Sequence, residues 1–497
     1  MQDAIDHYIK INLEQAALIK DLLGQIEVLK MQMQQMQKMI FGSKHERFVP
    51  DSNPQQLSLN INTGAIEQSS VISAKKITYT RTSSLKENTS AVHPGRLKLP
   101  DHLERREEII EPADLTEGCR RLGEEITELL ECEPAVLYVR KLVRPRYVTA
   151  DNNFIIAELP ERPLPKSMAG ASLLAQIVID KYVDHLPLYR QQQRFTRQQV
   201  NIPYSTITDW VSGTCNLLTP LYEALRREVL ATDYLHADES PIKVLDRSKK
   251  GETHRGYYWV YHNSLNGMVL FDYQPGRGRE GPKEVLKDYK GFLQTDGYKV
   301  YDIFDQRKEI TQLCCWAHAR RYFFEAQKND PQRSGYALSR IQQLYSIEKR
   351  AGEMQSEVAE ILSIREKKSI PVLNELKQWM QQSYPEVLPQ SPIGKAIAYS
   401  LKRWDQLMVY TTDGKLNIDN NPVENSIRPL AVGRKNYLFA GSHEAAQRSA
   451  MLYSIMGTCK LNGINPLIYL TDILKRINTH KIKQITDLLP QHWKPIQ

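Results

Sequence analysis

Apolar positions in the first forty residues recur with a helical beat. Leu22, Ile26, Leu29, Met33, Met36 and Ile40 are spaced 4, 3, 4, 3 and 4 apart, the a/d seam of a coiled coil. Residues 1–48 are therefore expected to form one helix that brings copies of the chain together, with methionine leaving the oligomer number loosely specified. An amphipathic helix packed on its own domain is the alternative. Gly42, within Phe41-Gly42-Ser43-Lys44, supplies a stop. The period then vanishes: residues 49–92 are rich in Ser, Thr, Asn and Gln and read as a flexible linker.

Residues 93–165 read as a small β-rich module. From Val136 to Tyr147 apolar residues alternate with Arg140, Lys141, Arg144 and Arg146, so one strand face is either cationic or simply solvated. Residues 166–230 return to a helical pattern. One helix is expected from Ala171 to about Val183 and another from Leu188 to about Gln198. After the turn at Asn201-Ile202-Pro203 a third runs through Trp210, with Ser205 or Thr206 as its N-cap. This pattern fits a helix-turn-helix, with Arg190, Arg194 and Arg197 on one face for backbone phosphates. A plain helical scaffold is the competing reading.

From residue 231 the pattern shifts to strands. Tyr234 to Asp238 is one; Gly256 to His262 and Gly267 to Asp272 form a hairpin; Phe292 to Thr295 and Ile310 to Cys315 follow. Short helices at 282–289 and 297–304 separate the last three. The order β-β-β-α-β-α-β predicts an α/β ribonuclease-H-like catalytic core over 231–317, in which the ends of the first and fourth strands lie side by side. Residues 318–412 read as an all-helical insertion and 413–442 as the return to the core. Residues 443–497 read as C-terminal helices, from Glu444 to Leu461 and from Pro466 to Ile477.

Composition narrows the class only slightly. A chain of 497 residues with net charge +8 holds several domains and suits a polyanionic partner, though mild basicity alone is weak support. The six cysteines are scattered, which points to a reducing cytoplasm rather than a disulfide framework. No apolar run is long enough to span a bilayer, so no membrane partner is expected.

The chemistry lies in three acidic motifs: His236-Ala237-Asp238-Glu239, Gln294-Thr295-Asp296-Gly297, and Asp419-Asn420-Asn421-Pro422-Val423-Glu424-Asn425. Carboxylates from two strand ends and a helix suit a pair of Mg²⁺ (or Mn²⁺) ions acting on phosphodiesters. On this reading Asp238 bridges both ions while Asp296 and Glu424 each hold one. Glu424 has a structural alternative: with Asn421 as N-cap and Pro422 at N1 it falls at N3, the reciprocal position of a capping box. Arg428 sits one turn beyond it, placed for phosphate or for the glutamate, and Arg434 and Lys435 lie in a Gly- and aromatic-rich stretch suited to a DNA backbone. His318 and Arg320, in Cys315-Trp316-Ala317-His318-Ala319-Arg320-Arg321, read as DNA or active-site contacts. Zinc is not expected there, because the Cys/His pair has no second half nearby.

These motifs, with His93-Pro94-Gly95-Arg96, Asp184 through Tyr189 and Gly433 through Ser442, resemble transposases of the bacterial insertion sequence 66 family over nearly the whole chain. The resemblance implies a DDE transposase with Asp238, Asp296 and Glu424 as its triad, and the Cys315/His318 pair near the active site. It also implies DNA as partner, small accessory transposition proteins and a nucleoid-associated cytoplasmic location. The family's zinc-finger-like module has paired cysteines; the corresponding stretch here has only Cys119 and Cys132. A catalytically inactive DNA-binding relative, and a nuclease that cuts without joining, are the competing classes.

Overall fold

The computed structural model describes residues 99–112, 120–133, 136–149, 152–245 and 252–495. The expected coiled coil over 1–48 and linker over 49–92 lie outside the described residues, as does Cys119.

The β-rich module is a small sheet of β1 (Arg105–Ile109), β2 (Arg120–Glu133), β3 (Val136–Val148) and β4 (Phe154–Ile156), ordered β1-β3-β2 with β4 on β3. Its register corrects the cationic-face reading. Glutamates on β1 and β2 stand beside the basic residues of β3. Lys141 meets Glu107 at 3.2 Å, Arg144 meets Glu125 at 2.7 Å and Arg140 meets Glu108 at 3.6 Å. Cross-strand pairing of opposite charges supports the sheet and leaves little unopposed positive potential.

Three helices follow: α1 (Ala171–Tyr182), α2 (Leu188–Arg197) and α3 (Tyr204–Leu230). The third differs from expectation at both ends. It starts at Tyr204 after Pro203, with no side-chain cap, and runs twenty residues past Trp210, straight through Pro220. Its buried stripe continues through Leu218, Leu221, Leu225 and Val229, so this helix is a core spine rather than a short recognition helix.

The central sheet comprises β5 (Tyr234–Leu245), β6 (Thr253–Asn263), β7 (Met268–Gln274), β8 (Gly291–Thr295) and β9 (Ile310–Cys314), ordered β7-β6-β5-β8-β9. The first three are antiparallel, and β8 and β9 run parallel to β5. Between β7 and β8 lies α4 (Glu280–Val285), shorter than expected. The helix expected at 297–304 is a 3-10 stretch, Lys299–Phe304. β5 also runs seven residues beyond Asp238, because Ser240 to Leu245 remain paired to β6.

After β9 come α5 (Trp316–Ala326), α6 (Pro331–Glu353), α7 (Val358–Ile364), a π-helical stretch at Arg365–Ser369, α8 (Ile370–Ser383), α9 (Pro392–Lys402) and α10 (Trp404–Met408). These helices share an apolar core of their own around Ile341, Leu373, Leu376, Met380, Ile397 and Leu407, joined to the sheet through Trp316, Phe323 and Leu313. The chain returns through α11 (Asn421–Tyr437) and ends with α12 (His443–Leu461) and α13 (Pro466–Arg476).

α12 lies along the free edge of β7. Ser454 Oγ accepts from Phe271 N–H at 2.7 Å and Thr458 Oγ1 accepts from Val269 N–H at 3.2 Å. Buried strand N–H groups that lack a neighbouring strand are thus satisfied by side chains one helical turn apart. Among the described residues no helix is long and apolar enough to cross a membrane.

Candidate active site

Strand register brings two of the three acids together. The parallel pairing of β5 with β8 ends at His236↔Gln294, and Asp238 and Asp296 each lie two residues beyond that pair. Side chains two apart on a strand share a face, so both aspartates project from the face that carries His236 and Gln294. Asp238 Oδ1 accepts from the N–H of Glu239 at 2.7 Å, and Asp296 Oδ1 accepts from Tyr298 N–H at 2.8 Å.

The same face receives the segment before α11 through a buried polar network. His236 Nδ1 lies 2.9 Å from Asn420 Oδ1, and Asn420 Nδ2 donates to Ala237 O at 2.9 Å. Gln294 Nε2 donates to Asn417 O at 3.0 Å, Asn417 N–H donates to Tyr234 Oη at 2.9 Å, and Asn417 Nδ2 lies 3.2 Å from His236 Nε2. His262 Nδ1 and Ser426 Oγ, 3.0 Å apart, add a contact from β6 to α11. Burial holds both histidines neutral, pushing His236 down to about 3 and His262 to about 4. Such networks are costly to interrupt, since each lost partner strands a buried group. Asn420→Ala leaves His236 Nδ1 and Ala237 O unpaired, and urea unfolding should show a loss of ~2–4 kcal/mol on that reasoning; a change under ~0.5 kcal/mol would refute the clamp.

This clamp places Glu424 in the first turn of α11. The helix begins at Asn421 with Asn420 as N-cap and no side-chain cap bond, so Glu424 is not at the capping-box position and that alternative is corrected. Asp419 takes the local capping work instead, accepting from Asn421 N–H at 3.1 Å.

Opposite Glu424 stands His318, its Nδ1 3.9 Å from Glu424 Oε1. α5 is tied to the same segment by Trp316 N–H donating to Ile418 O at 3.2 Å. Among the described residues, Cys315, His318 and Glu424 form a group whose ligand atoms all lie within 4.8 Å of one another; Asp238 and Asp296 stand outside it. The third partner of the Cys/His pair is thus supplied from residue 424. The Cys315 thiol already accepts Asn420 N–H at 3.2 Å, and burial pushes its pKa up to about 12, the setting of a structural thiol.

Electrostatics report the crowding of the acids. Burial, followed by the like charges of Asp296, Glu239 and Glu424, holds the Asp238 carboxyl well above the usual carboxylate range. Glu239 is a carboxylate that sequence reading passed over. Its side chain is 3 % exposed and it pairs with Arg277, whose guanidinium stacks 4.0 Å from the Tyr298 ring centroid.

The helical insertion grips the Asp296 turn from the other side. Tyr399 Oη donates to Asp296 O at 2.8 Å and Arg403 donates to Gly297 O at 3.0 Å. Gly297 sits at φ +85°, and a Cβ there would lie 2.8 Å from Tyr399 Oη, so glycine is required twice over. A cleft of about 440 Å³ opens between them, lined by Asp296, Tyr298, Lys299, His318, Tyr322 and Lys402 among others.

The expected DNA contacts divide. Arg190, Arg197, Arg428 and Lys435 are exposed and Arg320 is half-buried. Arg194 instead pairs with the buried Asp180, and Arg434 donates to Pro241 O with its guanidinium partly desolvated. Those two side chains serve the fold in this conformation.

Comparison with known proteins places the chain. Residues 166–448 match the family described as "Transposase IS66 family" and residues 454–491 its "IS66 C-terminal element". Residues 28–107 match "Transposase C of IS166 homeodomain", which supports DNA as a partner. Two relatives from Sinorhizobium fredii, the uncharacterized proteins y4hP and y4jD, are each 30% identical to it. The first match covers 94% of this chain and 89% of the relative, the second 80% and 82%. The chain belongs to the IS66 family of transposases.

Proposed function

We propose that this protein is a DDE transposase with a ribonuclease-H-like core, cleaving DNA at transposon ends and joining them to target DNA. The observation that carries the reading is the equal offset of Asp238 and Asp296 from the last β5–β8 pair, on the face to which Asn417 and Asn420 clamp the Glu424 helix. The donor set fits hard divalent cations: three carboxylates, one of them resisting ionisation because it is buried and its neighbours share its charge. Mg²⁺ or Mn²⁺ held by Asp238, Asp296 and Glu424 would supply Lewis acidity and a deprotonated oxygen nucleophile.

The chain's own groups do the rest. The Asn417/Asn420/His236 network fixes the approach of Glu424, and Tyr399 and Arg403 fix the Asp296 turn, so little reorganisation remains when substrate arrives. His318 Nδ1 lies 3.9 Å from Glu424 Oε1 without a hydrogen-bond partner of its own, and burial lowers its pKa, so it faces that carboxylate as a neutral imidazole. Arg428, Arg320, Lys435, Arg190 and Arg197 contribute positive charge for phosphates. The heptad seam within residues 1–48 would bring copies together on paired ends, and small accessory proteins are possible partners. The test is mobility of a marked mini-element in cells, comparing wild type with Glu424→Gln. Transposition should fall to background in the variant at equal protein level; undiminished transposition removes Glu424 from the chemistry.

A further inference from the structure

α11 ends in an unusual turn. Phe439 N–H donates back to Tyr437 O at 2.7 Å around Leu438, which sits at φ +62°, ψ −43°. This is a γ-turn with positive φ, a rare and strained conformation that a bulky L-residue adopts only when its surroundings impose it. The surroundings do so from both sides. Leu438 N–H bonds to Arg434 O at 3.1 Å, and Tyr437 Oη lies 2.9 Å from Tyr453 Oη. On the far side Ala440 N–H donates to Lys243 O and Leu245 N–H donates to Ala440 O, both at 2.8 Å.

What the turn displays is apolar. Leu438 is 63% exposed and Phe439 42% exposed, while Lys435 and Lys243 on the flanking elements are also solvent-facing. A glycine at 438 would remove the strain, so a leucine held open to solvent there is the costlier choice for the fold alone. Leucine and phenylalanine flanked by cations match the chemistry of a wedge that enters a base stack while its neighbours meet phosphates.

Two rulers locate the turn. Leu438 lies fourteen residue steps beyond Glu424, ~21 Å along α11. Val244, which bridges Ala440, lies six residue steps beyond Asp238, ~20 Å along β5. At 3.4 Å per base step this is about six base pairs.

Resting on the transposase reading, we propose that Leu438 and Phe439 insert into duplex DNA about six base pairs from the scissile phosphodiester, unstacking one step and bending the bound end.

The experiment uses the full chain and a short duplex carrying the terminal sequence that adjoins its gene, with 2-aminopurine placed at successive positions. Mg²⁺-dependent cleavage and binding are followed in parallel. Wild type should raise the fluorescence at one step about six base pairs from the cut. Leu438→Ala and Phe439→Ala should return it to the free-duplex level, with affinity falling by less than about tenfold. Leu438→Gly should melt higher than wild type, because the backbone strain is relieved, and still fail to unstack the step. Cleavage by wild type without unstacking at any position overturns the wedge alone, as does unstacking that persists in the Leu438→Gly/Phe439→Ala double variant. A changed sedimentation coefficient in the variants with unstacking intact overturns it in favour of a contact between copies. Absence of cleavage by wild type overturns the transposase reading and the wedge with it.

Discussion

Asp238→Asn should lower Mg²⁺-dependent cleavage of end DNA by at least about a thousandfold, ~4 kcal/mol on the barrier, while the metal-free protein melts at a higher temperature than wild type. The two outcomes share one cause. Asp238 is half-buried among Asp296, Glu239 and Glu424, and its carboxyl pKa is raised in the folded protein. A raised carboxylate destabilises the native state in full above its folded pKa; the penalty shrinks as pH falls below that value and is gone once pH falls through the unfolded pKa. Asparagine keeps the size and removes the charge, so the penalty vanishes at neutral pH along with the ligand. A gel assay and a thermal melt in chelator decide the matter. Unchanged cleavage removes Asp238 from the mechanism, and a lower melting temperature refutes the charge-crowding account.

Arg365→Ala should cost ~3–5 kcal/mol of stability. The guanidinium is 3% exposed and forks onto Glu348, with Nε–Oε1 at 3.0 Å and Nη2–Oε2 at 2.6 Å. It also donates to three carbonyls: Tyr410 at 2.7 Å, Asp413 at 2.8 Å and Leu416 at 2.8 Å. Removing it strands a mostly buried carboxylate, two buried acceptors and a half-buried one together. The damage extends beyond the insertion, since Leu416 adjoins the segment whose Asn417 and Asn420 deliver the Glu424 helix. Arg365→Lys retains the charge without the fork and should recover only part of the loss. Urea denaturation of the three proteins is the measurement; a midpoint for the alanine variant within error of wild type would show the fork to be dispensable.

Much of the sheet was readable from alternation, and the sequence order of its strands correctly anticipated the pairing of β5 with β8 that sets Asp238 beside Asp296. Limits of the elements were less readable. β5 outran its apolar run because pairing to β6, a property of another segment, sustains Ser240 to Leu245. α3 crossed Pro220 because its buried stripe continued on the far side. The polar network was missed altogether. His236 and Gln294 are lone polar residues inside apolar strand patterns, and that interruption was the available signal. Their partners Asn417 and Asn420 lie more than a hundred residues away, so local pattern carries no trace of the pairing. The positive charges were the least legible. Whether an arginine faces solvent or an internal acid depends on tertiary neighbours, as Arg194 against Asp180 and β3 against its glutamates show.

The hydroxyls of Ser454 and Thr458 along β7 have a consequence for the molecule as a commodity inside the cell. They make α12 a seal on an otherwise adhesive rim. A nascent polypeptide that has not yet emitted residues 454–458 carries a finished sheet whose outer strand still offers its amides to any passing extended peptide. Protection against unwanted lateral recruitment therefore arrives only after all three acidic motifs have been made.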